Sequence, residues 1–322
     1  MMLISYLHLP RLLGTLSLVA CMACGGDKMP AAEPTPQPAP QPPQQTDTPA
    51  AGVQGNAAWP ELPLLTERAG CRYVTHFCNV HNQQTGRACT GRNYTVCFDT
   101  AKRASWWVAY PLHPVHLGSG RPNPDPWSFD PDLPSDVQAN VAFGSYSGDY
   151  DRGHQLPNAD RNADLTADCM CYQTFYASNC TPQAHNLNAE SWADLENRVR
   201  GWARNCSDTL YVVTGAWWAP DSTRATTDRS GNRCPIPDCY FKVVVRTVAG
   251  NIRSTGDRLG DYRADQLKSI GFWVANDNSR ASDKPAAWVK SVAEIEELTG
   301  FTLFPTLPEA VKQQKNTSAW GL

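Results

Sequence analysis

A short run in the middle of the chain combines residue types that serve acid–base chemistry. Residues 150–161 read Tyr-Asp-Arg-Gly-His-Gln-Leu-Pro-Asn-Ala-Asp-Arg, which places Arg152 two positions before His154. An imidazole titrates near neutral pH and can take up or release a proton, while a guanidinium binds anions. On its own, this run also fits a structural histidine and an arginine paired with a neighbouring carboxylate. A second run is needed to decide between these interpretations.

The second run supplies an amide, a carboxylate and a guanidinium. After the sequence Ser-Asn-Cys-Thr-Pro-Gln at 178–183 come Asn188, Glu196 and Arg200. At about 100° per residue on a helix, these three side chains fall within about 120° of one another. Each has a simpler explanation, because an asparagine before a helix often caps it and residues four apart often form an ion pair. Together they would bring an oxygen ligand, a carboxylate and a guanidinium to one place.

These residues are expected to lie in a mixed α+β domain. Residues 189–204 and 291–299 have helical signals, and the second segment begins with a capping box, Ser291 and Glu294. Runs of β-branched and aromatic residues predict strands at 93–99, 105–112, 174–178, 210–214, 240–248 and 270–275. Because strands and helices do not alternate regularly, we expect a mainly antiparallel sheet and not a doubly wound parallel one.

The composition fits a globular domain and limits its partners. Of 322 residues, 41% are hydrophobic and 18% are charged, and the formal net charge is -3. This apolar fraction is sufficient for a core and excludes a wholly disordered chain. Binding to nucleic acid through bulk charge needs a strongly basic surface, which this composition does not provide. Any contact with phosphate must be local, made by a few placed arginines or by a metal ion.

The amino-terminal part predicts export and attachment. Residues 12–20 form an apolar run of the length found in secretion signals and too short to span a bilayer. It ends in Leu-Val-Ala-Cys, which resembles a bacterial lipobox, so we expect removal of residues 1–20 and lipidation of Cys21. An ordinary secretion signal, or lipidation at Cys24, is the alternative. Residues 21–57, rich in Pro, Ala and Gln, predict a disordered linker before one domain at 58–322.

Cysteines are numerous beyond this region. They are Cys71, Cys78, Cys89, Cys97, Cys169, Cys171, Cys180, Cys206, Cys234 and Cys239. In an exported protein, this even number predicts up to five disulfides, whose pairing stays open. A zinc site is the alternative, because positions 169 and 171 lie between His154 and His185 in the sequence. It is less favoured, since no CxxC pair occurs and thiols outside the cell are usually oxidised.

The two runs and their order resemble the DNA/RNA non-specific endonuclease family, whose active site is a ββα-metal (His-Me) finger. The family's Asp-Arg-Gly-His run with a following proline corresponds to 151–154 and Pro157, and its Ser-Asn-(Met)-x-Pro-Gln run to 178–183. Cys180 stands where methionine is common. The family's Asn, Trp, Leu-Glu and Arg correspond to Asn188, Trp192, Leu195, Glu196 and Arg200. Residues 291–300 resemble the closing helix, so the resemblance extends over roughly 93–310.

The resemblance implies a role for each side chain. His154 would be the general base that takes a proton from the attacking water. Asn188 would be the direct protein ligand of Mg²⁺, with Mn²⁺ as a substitute. Glu196 would orient the hydrated ion through its waters, and Arg200 would support that carboxylate. Arg152 would contact the scissile phosphate or pair with a carboxylate.

A further arginine has a weaker correspondence. In the family, an arginine upstream of an Asp-Pro pair stabilises the pentacoordinate phosphate, and Arg121 precedes Asp130-Pro131. The proline-rich residues between them make the spacing uncertain, so a simple loop arginine is the alternative. Three histidines outside the motif, His113, His116 and His185, are interpreted as structural or surface residues.

The sequence and the resemblance together predict an exported, lipid-anchored, Mg²⁺-dependent endonuclease that leaves 5′-phosphate ends. We expect it to cut DNA and RNA with little sequence preference, at the periplasmic or outer cell surface. A non-catalytic surface lipoprotein that captures nucleic acid is the alternative from another class, and a phosphodiesterase acting on another substrate is a third. The preference between DNA and RNA and the oligomeric state stay open.

Overall fold

The computed structural model describes residues 59–81, 88–163, 170–250 and 259–322, without the side chains at 79–90. The predicted signal, Cys21 and the linker lie outside these residues, as does Cys169. Within the described ranges, no helix is both long enough and apolar enough to cross a membrane. The described residues belong to a single compact unit.

Most strands lie in one large sheet. The strands of the described residues are β1 Cys71–His81, β2 Ala88–Asp99, β3 Ala104–Leu112, β4 Tyr150–His154, β5 Cys180–Ala184, β6 Leu210–Trp217, β7 Ala225–Thr227, β8 Arg233–Pro235, β9 Cys239–Thr247, β10 Leu267–Ala275 and β11 Val289–Lys290. Seven of them form the central sheet in the order β1-β2-β3-β6-β9-β10-β11, antiparallel throughout. β4 pairs with β5, and β7 pairs with β8. The predicted α+β fold with a mainly antiparallel sheet is confirmed.

Both faces of the central sheet are covered. The α-helices of the described residues are α1 Met170–Gln173, α2 Ala193–Arg204, α3 Val292–Thr299 and α4 Glu309–Lys312. Leu195 of α2 packs in a cluster with Tyr110 of β3, while Ile295 of α3 packs with Ala109 from the opposite face of the same strand. Because side chains alternate along a strand, β3 contributes to both clusters. α2 therefore rests on one face of the sheet and α3 on the other.

Both predicted helices are confirmed, with a change at the start of the first. α3 has the expected capping box between Ser291 and Glu294 and ends at Gly300, whose φ of 72° is left-handed. The regular part of the other helix begins at Ala193, after a wide π-helical turn at Leu187–Trp192. Asn188 lies inside this turn, so its interpretation as a helix cap is wrong.

One predicted strand is wrong. Residues 174–178 do not form a strand, because the chain continues from α1 into tight turns that end in the 3-10 turn Ala177–Asn179. The Thr174 hydroxyl donates to the carbonyl of Cys171 at 2.6 Å, and the Phe175 amide donates to the carbonyl of Tyr172 at 3.1 Å. Such local bonds compete with strand pairing and outweigh the β propensity of the run.

The cysteines do not show the predicted cross-links. No disulfide joins two of the described cysteines, although several are buried. Cys180 and Cys234 belong to one buried cluster with Tyr146, and the Tyr146 hydroxyl lies 3.6 Å from the Cys180 sulfur. Disulfide stabilisation therefore stays a prediction.

Candidate active site

A polar cleft of about 410 Å³ lies beside the β4–β5 pair, next to α2. It is lined by Arg121, Asp125, Trp127, Ser145, Asp151, Arg152, His154, Pro157, Asn158, Ala159, Asn188, Glu196 and Arg200. The two sequence runs thus meet in one place. All six residues predicted for the site line this cleft, including Arg121, whose spacing was the least regular.

Strands β4 and β5 lie so close together that position 153 must be glycine. A Cβ on Gly153 would lie 2.4 Å from Oε1 and 2.5 Å from Cβ of Gln183 on the paired strand. Only glycine therefore fits between Arg152 and His154 without moving β5. Asn179 joins the ends of the two strands, because its side chain accepts from the Leu156 amide at 2.8 Å and donates to the Leu156 carbonyl at 2.9 Å.

His154 is packed against aromatic rings at the end of β4. Its ring centroid lies 4.6 Å from that of Trp127 and 5.2 Å from that of Phe175. Nε2 is buried and has no hydrogen-bond partner among the described residues. Burial and the nearby cations Arg121 and Arg152 lower the pKa of His154 to about 3, against the opposing effect of Asp125. The imidazole is therefore neutral at neutral pH and able to accept a proton.

Two arginines make this part of the cleft electropositive. The Arg152 guanidinium lies 4.6 Å from the centre of the Trp127 ring and donates from Nη1 to the carbonyl of Val141 at 3.0 Å. Arg121 forms a two-pronged pair with Asp125, with Nε–Oδ1 and Nη2–Oδ2 distances of 2.8 and 2.6 Å. Its side chain is 62% exposed. An incoming anion would compete with Asp125 for Arg121, whereas Arg152 is not paired with a carboxylate among the described residues.

Asn188 is tied to the first run through Asp151. The Asn188 amide nitrogen Nδ2 donates to Oδ2 of Asp151 at 2.9 Å. The same carboxylate lies 3.0 Å from Nδ1 of His185, which raises the pKa of that histidine. His185 is on the surface, as predicted, but it contacts the site through Asp151. The engaged Nδ2 leaves the carbonyl oxygen of Asn188 as the available ligand atom.

Glu196 and Arg200 belong to a buried group of charged side chains that also includes Asp160. Arg200 Nη1 is 3.0 Å from Oδ1 of Asp160 but 4.0 Å from Oε2 of Glu196, so Asp160 is its main partner. The Tyr110 hydroxyl also donates to Asp160, at 3.1 Å. Burial raises the pKa of Glu196 to about 7, although Lys242 and Arg200 favour its charged form.

Lys242 on β9 is the cation beneath this group. It is 1% exposed, donates to the Thr214 hydroxyl and lies 5.3 Å from the centre of the Trp192 ring. Burial lowers its pKa to about 8, against the opposing effects of Glu196 and Asp160. Sequence reasoning missed Lys242 because it sits in an apolar strand; a lysine in such a strand was the only available signal. Asp151 and Asp160 were inside the first run but had no assigned role.

The cleft residues fit a hard divalent cation. Asn188 and Glu196 offer oxygen atoms, the ligands that Mg²⁺ prefers. The zinc alternative gains no support: Cys171 instead accepts a hydrogen bond from Asn158 at 2.9 Å. Over the described ranges, the one group of His, Cys, Asp or Glu side chains close enough to share an ion is His76, Asp130 and Asp132, none of which lines the cleft.

Comparison with known proteins shows which family the chain belongs to. The profile of the DNA/RNA non-specific endonucleases matches residues 74–310. A nuclease of Syncephalastrum racemosum is 30% identical over 51% of this chain and 54% of its own length. A nuclease of Nostoc sp. is 30% identical over 65% of this chain and 69% of its own. The chain belongs to the DNA/RNA non-specific endonuclease family, which confirms the predicted resemblance.

The fold has a counterpart among solved structures. A chain in the crystal structure of the EndoG/EndoGI complex has a TM-score of 0.52 and 18% identity, over 69% of this chain and 89% of that one. At this identity the likeness concerns the fold. Among the curated relatives, the match to the Syncephalastrum nuclease spans about half of that protein's length.

Proposed function

We propose that this protein is an endonuclease that hydrolyses phosphodiester bonds of DNA and RNA with the help of Mg²⁺. The observation that carries the proposal is the meeting of His154 with Asn188 in one cleft, beside Arg152, which is not paired with a carboxylate among the described residues. A protein that merely captures nucleic acid would need the arginines but neither a neutral imidazole nor an oriented amide. Family membership supports the same conclusion.

His154 acts as the general base in this proposal. Its lowered pKa keeps the ring unprotonated but also makes it a weak base in the free protein, because a general base works best with a pKa near the working pH. A substrate phosphate beside Arg121 and Arg152 would offset their charges, which contribute to the lowered pKa. Substrate binding would therefore make the imidazole a stronger base at the moment when it is needed.

The remaining side chains bind and orient. Arg152 and Arg121 would hold the phosphate, Asn188 would ligate Mg²⁺, and Glu196, supported by Arg200, would orient its water shell. When bound, Mg²⁺ supplies positive charge at the phosphate and at the leaving 3′ oxygen, which gives 5′-phosphate ends. Manganese, with the same preference for oxygen, would substitute. Because these contacts are made to the backbone and not to base edges, cutting would be largely independent of sequence.

We further propose that the enzyme works outside the cytoplasm, attached by a lipid on Cys21. The lipobox-like sequence and the proline-rich linker support this proposal, since a linker of this composition separates an anchor from a folded domain. In an oxidising compartment, the many cysteines of the domain would form disulfides. The location would be the periplasmic or outer cell surface.

The decisive experiment is a cleavage assay of the purified protein. Plasmid DNA, single-stranded DNA and RNA are incubated with Mg²⁺, with Mn²⁺ or with a chelator, and the products are tested for 5′ phosphate. We expect cutting of all substrates with either metal and none with chelator. Binding without cutting would favour the capture protein, and activity confined to small phosphodiesters would favour the phosphodiesterase.

A further inference from the structure

A second cavity, of about 600 Å³, lies away from the cleft and shares no lining residue with it. Its wall is built from the turn between β2 and β3, the end of β6, β8 and the end of α3. Three tryptophans, Trp106, Trp217 and Trp218, line it. A cavity of this size is within the range of small-ligand sites.

Cationic side chains lie over the tryptophan rings. The Arg68 guanidinium lies 5.0 Å from the centre of the Trp106 ring, and Lys102 Nζ lies 4.7 Å from the same ring and 5.2 Å from that of Trp218. Arg233 also lines the cavity. Cation–π contacts of this kind hold the charged groups in place without neutralising them.

The positive charges lack acidic partners. In the described part of the chain, neither Arg68 nor Lys102 forms an ion pair, and Nη1 of Arg68 is buried without a hydrogen-bond partner. No described lining residue is acidic. Two acids outside the lining bond to residues of the wall: Asp99 accepts from the Trp106 indole at 3.0 Å, and Asp238 accepts from the Ser222 hydroxyl at 3.0 Å. The lining thus carries three cationic side chains, Arg68, Lys102 and Arg233, and no acidic one, which favours an anionic ligand.

The unpaired cations and the tryptophan wall together restrict the chemical class of ligand that this cavity can bind. Unpaired cations fit a phosphate, and aromatic walls fit the face of a base. A chain with a formal net charge of -3 does not attract polyanions through its overall charge. The positive charge concentrated at this cavity therefore indicates a local binding site for an anion. A double helix keeps its bases stacked inside, whereas a single strand can present a phosphate and an adjacent base to one cavity.

We propose that this cavity is a second, non-catalytic binding site for single-stranded nucleic acid. One backbone phosphate lies between Arg68 and Lys102, and a neighbouring base lies against the tryptophan wall that includes Trp217. The inference rests on the proposed function for the identity of its ligand. It adds that a strand held here is retained by the protein between cuts in the cleft.

The test separates this site from catalysis. His154→Ala protein is kept in chelator, and binding of a fluorescent oligothymidine is followed by anisotropy across a salt series. The double variant Arg68→Gln with Lys102→Gln is compared with Arg204→Gln with Lys284→Gln, which removes the same charge from exposed positions outside both cavities. Each phosphate contact to a single strand contributes about 0.7 to the slope of log affinity against log salt. Because both side chains bind one phosphate, we expect the cavity variant to lose about 0.7 from this slope and the control to keep it.

Two further measurements keep the inference falsifiable. Trp217→Leu should weaken oligothymidine binding while keeping the salt slope, since it removes stacking and no charge. Equal slopes for the cavity and control variants would overturn the proposal. So would an unchanged oligothymidine affinity accompanied by lost binding to phosphatidylglycerol vesicles, because the occupant would then be a membrane. Cleavage by the wild type is measured separately, so a protein that binds through this cavity but does not cut refutes the proposed function alone.

Discussion

The side-chain amide of Asn188 donates to Asp151 at 2.9 Å, and this single bond joins the π-helical turn before α2 to strand β4. It holds the candidate metal ligand in a fixed rotation, with its nitrogen turned to Asp151. Side chains that hydrogen-bond to a metal ligand fix its orientation and so set the geometry of the metal site. His185, on the other side of Asp151, completes a chain of contacts that reaches the surface.

Asp151→Ala should therefore weaken metal binding although Asp151 is not the proposed ligand. Loss of such a supporting partner typically costs about 10–100-fold in metal affinity or activity. Mg²⁺ titration of the cleavage rate measures it, with Asp194→Ala on the exposed part of α2 as the matched control. An unchanged Mg²⁺ requirement in Asp151→Ala would show that the hydrogen bond does not orient Asn188.

His154→Ala should lower the cleavage rate by about 10² to 10⁴ and leave the fold intact, since general-base catalysis is worth that much. His113→Ala is the matched control, because His113 lies outside the cleft and its side chain accepts from the Val115 amide in a short 3-10 turn. Single-turnover rates on plasmid DNA, with circular dichroism as the check on folding, give the comparison. A folded His154→Ala protein that cuts at the wild-type rate contradicts the mechanism.

The raised pKa of Glu196 predicts a pH-dependent cost in stability. In the folded protein its pKa is about 7, above the ordinary 4.5, so the fold favours the protonated carboxyl. This contribution to stability is complete below pH 4.5 and is lost as pH rises through 7. Each pKa unit corresponds to about 1.4 kcal/mol, so the loss is at most about 3.5 kcal/mol.

Glu196→Gln should not lose stability in this way as pH rises, and it should be inactive. Urea unfolding in chelator between acidic and mildly alkaline pH should show the variant gaining stability relative to the wild type as pH rises. Glu297→Gln, in the exposed part of α3, is the control. A constant difference between variant and wild type across this range would show that folding does not raise the pKa of Glu196.

Asp160→Ala should destabilise the fold severely, because it leaves the buried Arg200 without its main partner. Removing one member of a buried ion pair costs about 3–5 kcal/mol. Asp265→Ala breaks the exposed pair with Arg263 and should leave stability nearly unchanged, because water screens such a pair. Adding Arg200→Met to Asp160→Ala should recover part of the lost stability in urea unfolding. A single variant as stable as Asp265→Ala would mean that Arg200 is satisfied by other groups.

The attachment proposal is tested by intact mass. The protein purified from membranes of an expressing bacterium should begin at Cys21 and carry the mass of acyl chains. Cys21→Ser should accumulate as an uncleaved precursor, while Cys24→Ser should be processed normally. A soluble, unmodified wild-type chain that starts elsewhere contradicts the lipobox interpretation. Mass shifts on reduction and alkylation of the same sample count the disulfides.

The spacing of the two runs, together with the family resemblance, predicted which residues form the candidate site. Glu196 and Arg200 are one helical turn apart in the predicted helix, so the helix period alone places them on one face. Strand β4, which puts Arg152 and His154 on one face, was not among the strands predicted from the sequence. Gly153 is also a local signal, since a residue without a Cβ marks a close approach of backbone. The antiparallel strands with long apolar runs followed from β propensity in the same way.

Only the tertiary structure decided which charges meet. Arg200 has Asp160 as its main partner and not Glu196, because packing of α2 on the sheet brings together residues that are 40 apart in sequence. Lys242 acts electrostatically on Glu196 from a strand that pairs with β6. Arg68, which precedes β1, and Lys102, in the turn between β2 and β3, both lie over the Trp106 ring. Such meetings depend on sheet register and on which side chains share a buried face, and these are set by long-range packing that no local pattern encodes.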